Sequence, residues 1–81
     1  MTTAAVIARV RRIVSTLFGV SAEEVTETSS PATIPRWDSM GHLTLVLELE
    51  QEFGVAFPPE QVERMSNVGE IAEIVSNATA N

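Results

Sequence analysis

The chain has no cysteine, no lysine and no tyrosine, and aromatic residues make up only 5% of it. Without cysteine there is no disulfide framework and no thiolate metal site. One histidine and no cysteine leave little with which to hold a transition metal. The only cations are five arginines, set against eleven acids for a net charge of −6. A nucleic-acid binder neutralises phosphates with clustered Lys and Arg, so this balance has the wrong sign. An anionic membrane surface would repel it as well. No apolar run approaches the roughly 20 residues of a membrane span. The opening MTTAAVIARVRR puts its arginines after the apolar residues, the reverse of a secretory signal. Eighty-one residues, 44% of them hydrophobic, bury one small core. The expectation is a single domain over residues 1–81, cytoplasmic and monomeric, and too small for difficult chemistry alone.

What is present is strongly patterned. Arg9, Arg11 and Arg12 are the only charges before Glu23, and all eleven acids follow, opposed by Arg36 and Arg64 alone. This asymmetry favours docking of the basic first segment on the acidic remainder. Val6, Val10, Ile13, Val14 and Leu17 recur at helical spacing, so a first helix is predicted over Thr3–Phe18. Thr2 or Thr3 caps its start and Gly19 suits its stop. Its arginines read as a solvated face. Ser21 and Glu24 form a capping-box pattern, with Val20 and Val25 as a staple, enough for one helical turn at most. A long loop follows, TETSSPATIPRW, with Pro31 and Pro35 as breakers and Ile34 and Trp37 as anchors to the core.

The second helix is predicted over Ser39–Phe53, capped by Asp38 and stopped by Gly54. His42, Leu45, Val46, Leu49 and Phe53 share one face, while Met40, Leu43 and Leu47 form an apolar strip beside it. A surface helix needs an apolar stripe of only about 100°. This one exceeds that, so it is either central or carries an apolar edge for a partner. Pro59 opens a short third helix ending near Met65. Asn67 or Ser66 caps a fourth helix, Val68 to about Asn77, after which ATAN should fray. There are no strand signals, so the fold class is all-α: a four-helix bundle of three main helices and one short one.

Ser39 is the residue of most chemical interest. It occupies the first position of an amphipathic helix directly after a long loop. It is either a residue tolerated beside the Asp38 cap or an exposed hydroxyl placed for modification. A helix N-terminus offers free N–H groups and about half a positive charge, a favourable field for a phosphodiester. His42 lies one turn later. A Ser39–His42 hydrolase would need an orienting third group and an oxyanion hole, and no further triad candidate or Gly-rich elbow is visible. His42 fits better at the upper end of the core face, its polar edge bonded to the loop. Glu48, Glu50 and Glu52 fan apart on a helix, which makes a solvated face rather than a calcium loop.

Along nearly its whole length the sequence resembles the acyl carrier protein family. The resemblance rests on the size, the acidic balance, the long loop, and Asp38-Ser39-Met40 followed by a helix ending Leu49-Glu50-Gln51-Glu52-Phe53-Gly54-Val55. It implies that Ser39 carries 4′-phosphopantetheine, transferred from coenzyme A by a phosphopantetheinyl transferase that reads Asp38 beside it. The thiol of the arm, and no side chain, would then hold an acyl group as a thioester. The protein itself would not be an enzyme. The second helix would dock acyltransferases, ligases or ketosynthases through Met40, Leu43, Leu47, Glu48 and Glu50, with Leu43 only partly exposed. Gly41 and Thr44 stand where fatty-acid-synthesis carriers tend to have acids, so Trp37–His42 looks more like discrete carriers of polyketide or other specialised pathways. D-alanyl and peptidyl carriers are the aminoacyl alternative. A small acidic interaction module using Met40 and Leu47, with Ser39 unmodified, is the rival from another class.

Overall fold

The computed structural model describes residues 2–80. It contains α1 (Thr3–Phe18), α2 (Ser39–Phe53), α3 (Pro59–Arg64) and α4 (Val68–Thr79), with no strand among the described residues. Thr2 caps α1 by accepting from Ala5 N, and Gly19 ends it in the left-handed region at φ 66°. That conformation costs most residues 1–2 kcal/mol, by rough estimate, but not glycine. Val6, Val10, Val14 and Phe18 turn inward from α1 and meet Leu45, Val46 and Leu49 of α2 and Val68, Ile71, Ala72, Ile74 and Val75 of α4. Each of these valine, leucine, isoleucine and phenylalanine side chains contributes about 1.5–3 kcal/mol on burial. The expected core face of α2 differs at Phe53, which is only partly buried and lies under the Arg9 guanidinium, 5.5 Å from the ring centre.

The long segment between α1 and α2 is folded onto the bundle. Val25, Ile34 and Trp37 are buried. Trp37 N donates to Ile34 O at 3.0 Å and Ile34 N to Ser30 O at 2.9 Å. Buried Ser29 accepts from Thr26 N through Oγ at 2.9 Å. Ser21 makes no capping box: its Oγ accepts from Glu23 N, and the stretch is a turn. The loop also completes α4. Val68 N donates to Ser29 O and Gly69 N to Glu27 O, at 3.0 and 2.8 Å, while Asn67 Oδ1 takes Glu70 N at 2.8 Å. The first N–H groups of α4 are thereby paired, two of them by backbone far away in sequence.

Of the α1 arginines expected as a solvated face, Arg12 is exposed, whereas Arg9 and Arg11 are partly buried. Arg11 donates from Nε to Val25 O at 2.7 Å and from Nη2 to Ala22 O at 3.0 Å. Arg9 and Arg12 converge on Glu52 of α2 at 3.0 and 3.5 Å. A helix stripe predicts which side faces away from the core, but not that a neighbouring loop folds back over it. The fourth helix is longer than its periodicity indicated: Thr79 Oγ1 bonds back to Val75 O at 2.9 Å and carries the helix to Thr79. Asn81, in the tail expected to fray, lies outside the described residues.

Candidate functional site

The site is built at the entrance to α2. Asp38 holds an extended conformation, and its Oδ1 accepts from Gly41 N at 2.8 Å. Its carbonyl accepts from His42 N at 2.8 Å. The two remaining first-turn N–H groups, on Ser39 and Met40, have no partner among the described residues. Ser39 is exposed at the first helical position. Beside it opens a cleft of about 630 Å³ lined by Pro31, Trp37, Asp38, Ser39, His42, Leu43 and Met65. The cleft is mostly apolar, with the Asp38 cap and the Ser39 hydroxyl at its rim.

Two residues hold this entrance in shape: Gly41, which spacing alone did not single out, and Trp37, expected as an anchor of the loop. A Cβ on Gly41 would sit 2.5 Å from Arg36 O, 3.0 Å from Phe18 Cε1 and 3.2 Å from Asp38 Oδ1. Only glycine lets the loop backbone cross the first turn so closely. A glycine inside a helical pattern was the available signal. Trp37 is 1% exposed and is stacked between Phe18 and His42, with ring centres 5.6 and 6.2 Å away. Its indole N–H donates to His42 Nδ1 at 3.0 Å. His42 Nε2 lies 3.1 Å from Val62 O on α3. Both ring nitrogens are therefore engaged within the fold, and neither is directed at Ser39 as a catalytic base.

The proposed docking residues divide. Met40 is 78% exposed, and Leu43 and Leu47 are each 62% exposed, so they form one outward strip on α2. Leu43 was expected to be only partly exposed. It is as open as Leu47 and lines the cleft with Pro31 and Met65. Glu48 is exposed. Glu50 is not a free surface carboxylate: its Oε2 accepts from Phe57 N at 2.9 Å and ties down the turn after α2. Glu52 is occupied by the two arginines of α1.

A group of three or more potential metal ligands does not occur among the described residues, and no helix there is long and apolar enough to cross a membrane. Residues 8–75 match the family model described as the phosphopantetheine attachment site. The chain is similar to the acyl carrier protein of Thermosynechococcus vestitus, with 31% identity over 75 residues that cover 93% of each chain. It is also similar in structure to the acyl carrier protein from Enterococcus faecalis, with a TM-score of 0.76, 31% identity, and coverage of 96% of this chain and 99% of that one. A phosphopantetheine attachment domain spanning most of the chain, on a four-helix fold shared with such a relative, establishes that this chain belongs to the acyl carrier protein family.

Proposed function

We propose that the chain is a single-domain, non-catalytic carrier and that Ser39 is the residue to which 4′-phosphopantetheine is attached. The observation that carries this is the exposed Ser39 hydroxyl at the start of α2, beside the Asp38 cap and at the mouth of the cleft. The surroundings fit the group. The unpartnered Ser39 and Met40 N–H groups and the positive end of the α2 dipole favour a phosphodiester. The apolar cleft wall suits what the arm carries. When bound, the arm supplies the thiol that holds an acyl group as a thioester.

The roles of the chain's own residues follow. Asp38 fixes the first turn and presents Ser39 to a phosphopantetheinyl transferase. Met40, Leu43 and Leu47, with Glu48 at the edge, form the strip that acyl-loading and acyl-processing enzymes dock on. Three large apolar side chains left in water on one helix support that role. The start of α2 is uncharged, and Glu50 and Glu52 are engaged internally. An exposed apolar strip beside engaged acids favours partners of a polyketide-like or other specialised pathway, which we place in the cytoplasm.

The test is the intact mass of the purified chain after incubation with coenzyme A, magnesium and a broad-specificity phosphopantetheinyl transferase. One phosphopantetheine adduct on the wild type and none on Ser39→Ala is expected. An adduct that persists in Ser39→Ala would move the attachment elsewhere. No adduct with several transferases would favour an unmodified interaction module.

A further inference from the structure

α3 is the most lightly anchored helix of the bundle. It has six residues, none of them buried, and no side chain caps its start. A helix of one to two turns is not stable in isolation, so tertiary contacts hold it in place. Val62 packs partly against the core, and Met65, at the helix end, is buried. The side-chain hydrogen bonds that reach this region come from α2: Glu50 to Phe57 N ahead of the helix, and His42 to the Val62 carbonyl near its end. Met65 also lines the cleft beside Ser39, so the end of α3 is one wall of that cleft.

The two partners of His42 determine the state of its ring. An indole N–H only donates, and a carbonyl oxygen only accepts. Trp37 Nε1 at 3.0 Å therefore requires a bare Nδ1, and Val62 O at 3.1 Å requires a proton on Nε2. These two bonds select a single tautomer, with the proton on Nε2. Trp37 is 1% exposed, so its N–H has no ready access to water if the ring moves away. One imidazole thus joins α3 to the residue two positions before Ser39.

We propose that His42 is a positioning residue: a latch that holds α3 against the Trp37 side of the cleft and so sets the cleft's width beside Ser39. Its consequence for cargo rests on Ser39 as the attachment residue. A chain carried there passes a wall whose far side, Met65, moves with α3. The latch itself is a property of the unmodified protein and can be measured without any cofactor.

The experiment is amide and indole hydrogen exchange by NMR on the full-length unmodified chain, comparing wild type, His42→Asn and His42→Gln. Asparagine places an acceptor near the Nδ1 position and cannot reach Val62. Glutamine places an N–H near the Nε2 position and offers Trp37 nothing at Nδ1. With His42→Asn, exchange in α3 should quicken about fivefold, the factor one hydrogen bond supports, while the Trp37 indole stays protected. With His42→Gln the pattern should reverse. Exchange in α1 and α4 is the internal reference, because a general loss of stability would raise every helix together. In the wild type, ring nitrogen shifts should report the Nε2–H tautomer, and this reading requires no variant. Equal effects of both variants on α3 and Trp37, no effect of either, or the opposite tautomer would overturn the latch. The Ser39 mass experiment stands apart from all of these outcomes.

Discussion

Gly41→Ala is the sharpest test of how the entrance to α2 is held. In an ordinary helix position this change stabilises, since alanine is favoured over glycine by about 0.8–1 kcal/mol. Here the new methyl group would lie 2.5 Å from Arg36 O and 3.0 Å from Phe18 Cε1. The first neighbour is backbone, so it cannot yield by changing rotamer. Relief requires the loop that carries Arg36 and Trp37 to move off the helix. Overpacking of this kind costs about 1–3 kcal/mol against that propensity gain, for an expected net loss of up to about 2 kcal/mol. For a domain this small each kcal/mol lost lowers Tm by about 4–8 °C. Thermal and urea unfolding measure the loss, and the fluorescence of the single tryptophan reports where it occurs. Trp37 emission should shift to the red in Gly41→Ala as the loop lifts. Gly54→Ala is the control: it has φ +65° and nothing within 4 Å of an added Cβ, so it should cost about 1 kcal/mol through the backbone alone and leave Trp37 emission unchanged. A Gly41→Ala protein as stable as wild type, with unaltered Trp37 emission, would refute the close crossing of loop and helix.

Arg11→Ala removes two hydrogen bonds to the loop carbonyls of Ala22 and Val25, one of them partly buried, and should cost about 1–2 kcal/mol in urea unfolding, whereas a neutral result would show that the loop holds without them. Leu43→Glu combined with Leu47→Glu should leave stability within about 0.5 kcal/mol, because both side chains are 62% exposed, while lowering the rate at which partner enzymes load the modified protein. Equal loading rates would remove the α2 strip as a docking surface.

Local pattern made much of this molecule legible from its residues. The periodic valines of α1, the Asp38 and Asn67 caps and the glycine stops Gly19 and Gly54 all act within one or two helical turns, and the boundaries of α1 and α2 coincide with those the spacing predicted. Ser39 was conspicuous for the same reason, since a helix start can be recognised from the cap beside it. Contacts between segments far apart in sequence were legible only in outline, in the charge asymmetry between α1 and the rest and in the loop anchors Ile34 and Trp37. Arg11 reads with its neighbours as a solvated face of α1, but the loop that returns to it is placed by the burial of Val25, Ile34 and Trp37. Glu50 reads as a surface acid until the backbone of Phe57 meets it, and Gly41 as a weak helix residue until Arg36 O crosses it. The sequence by itself determined which segments form helices and that Ser39 opens the second of them, because those depend on neighbours along the chain. Only the tertiary structure decided that Leu43 stands open, that His42 joins Trp37 to α3, and that loop carbonyls complete α4, because each depends on a hydrogen bond or a packing gap between residues that the chain order separates.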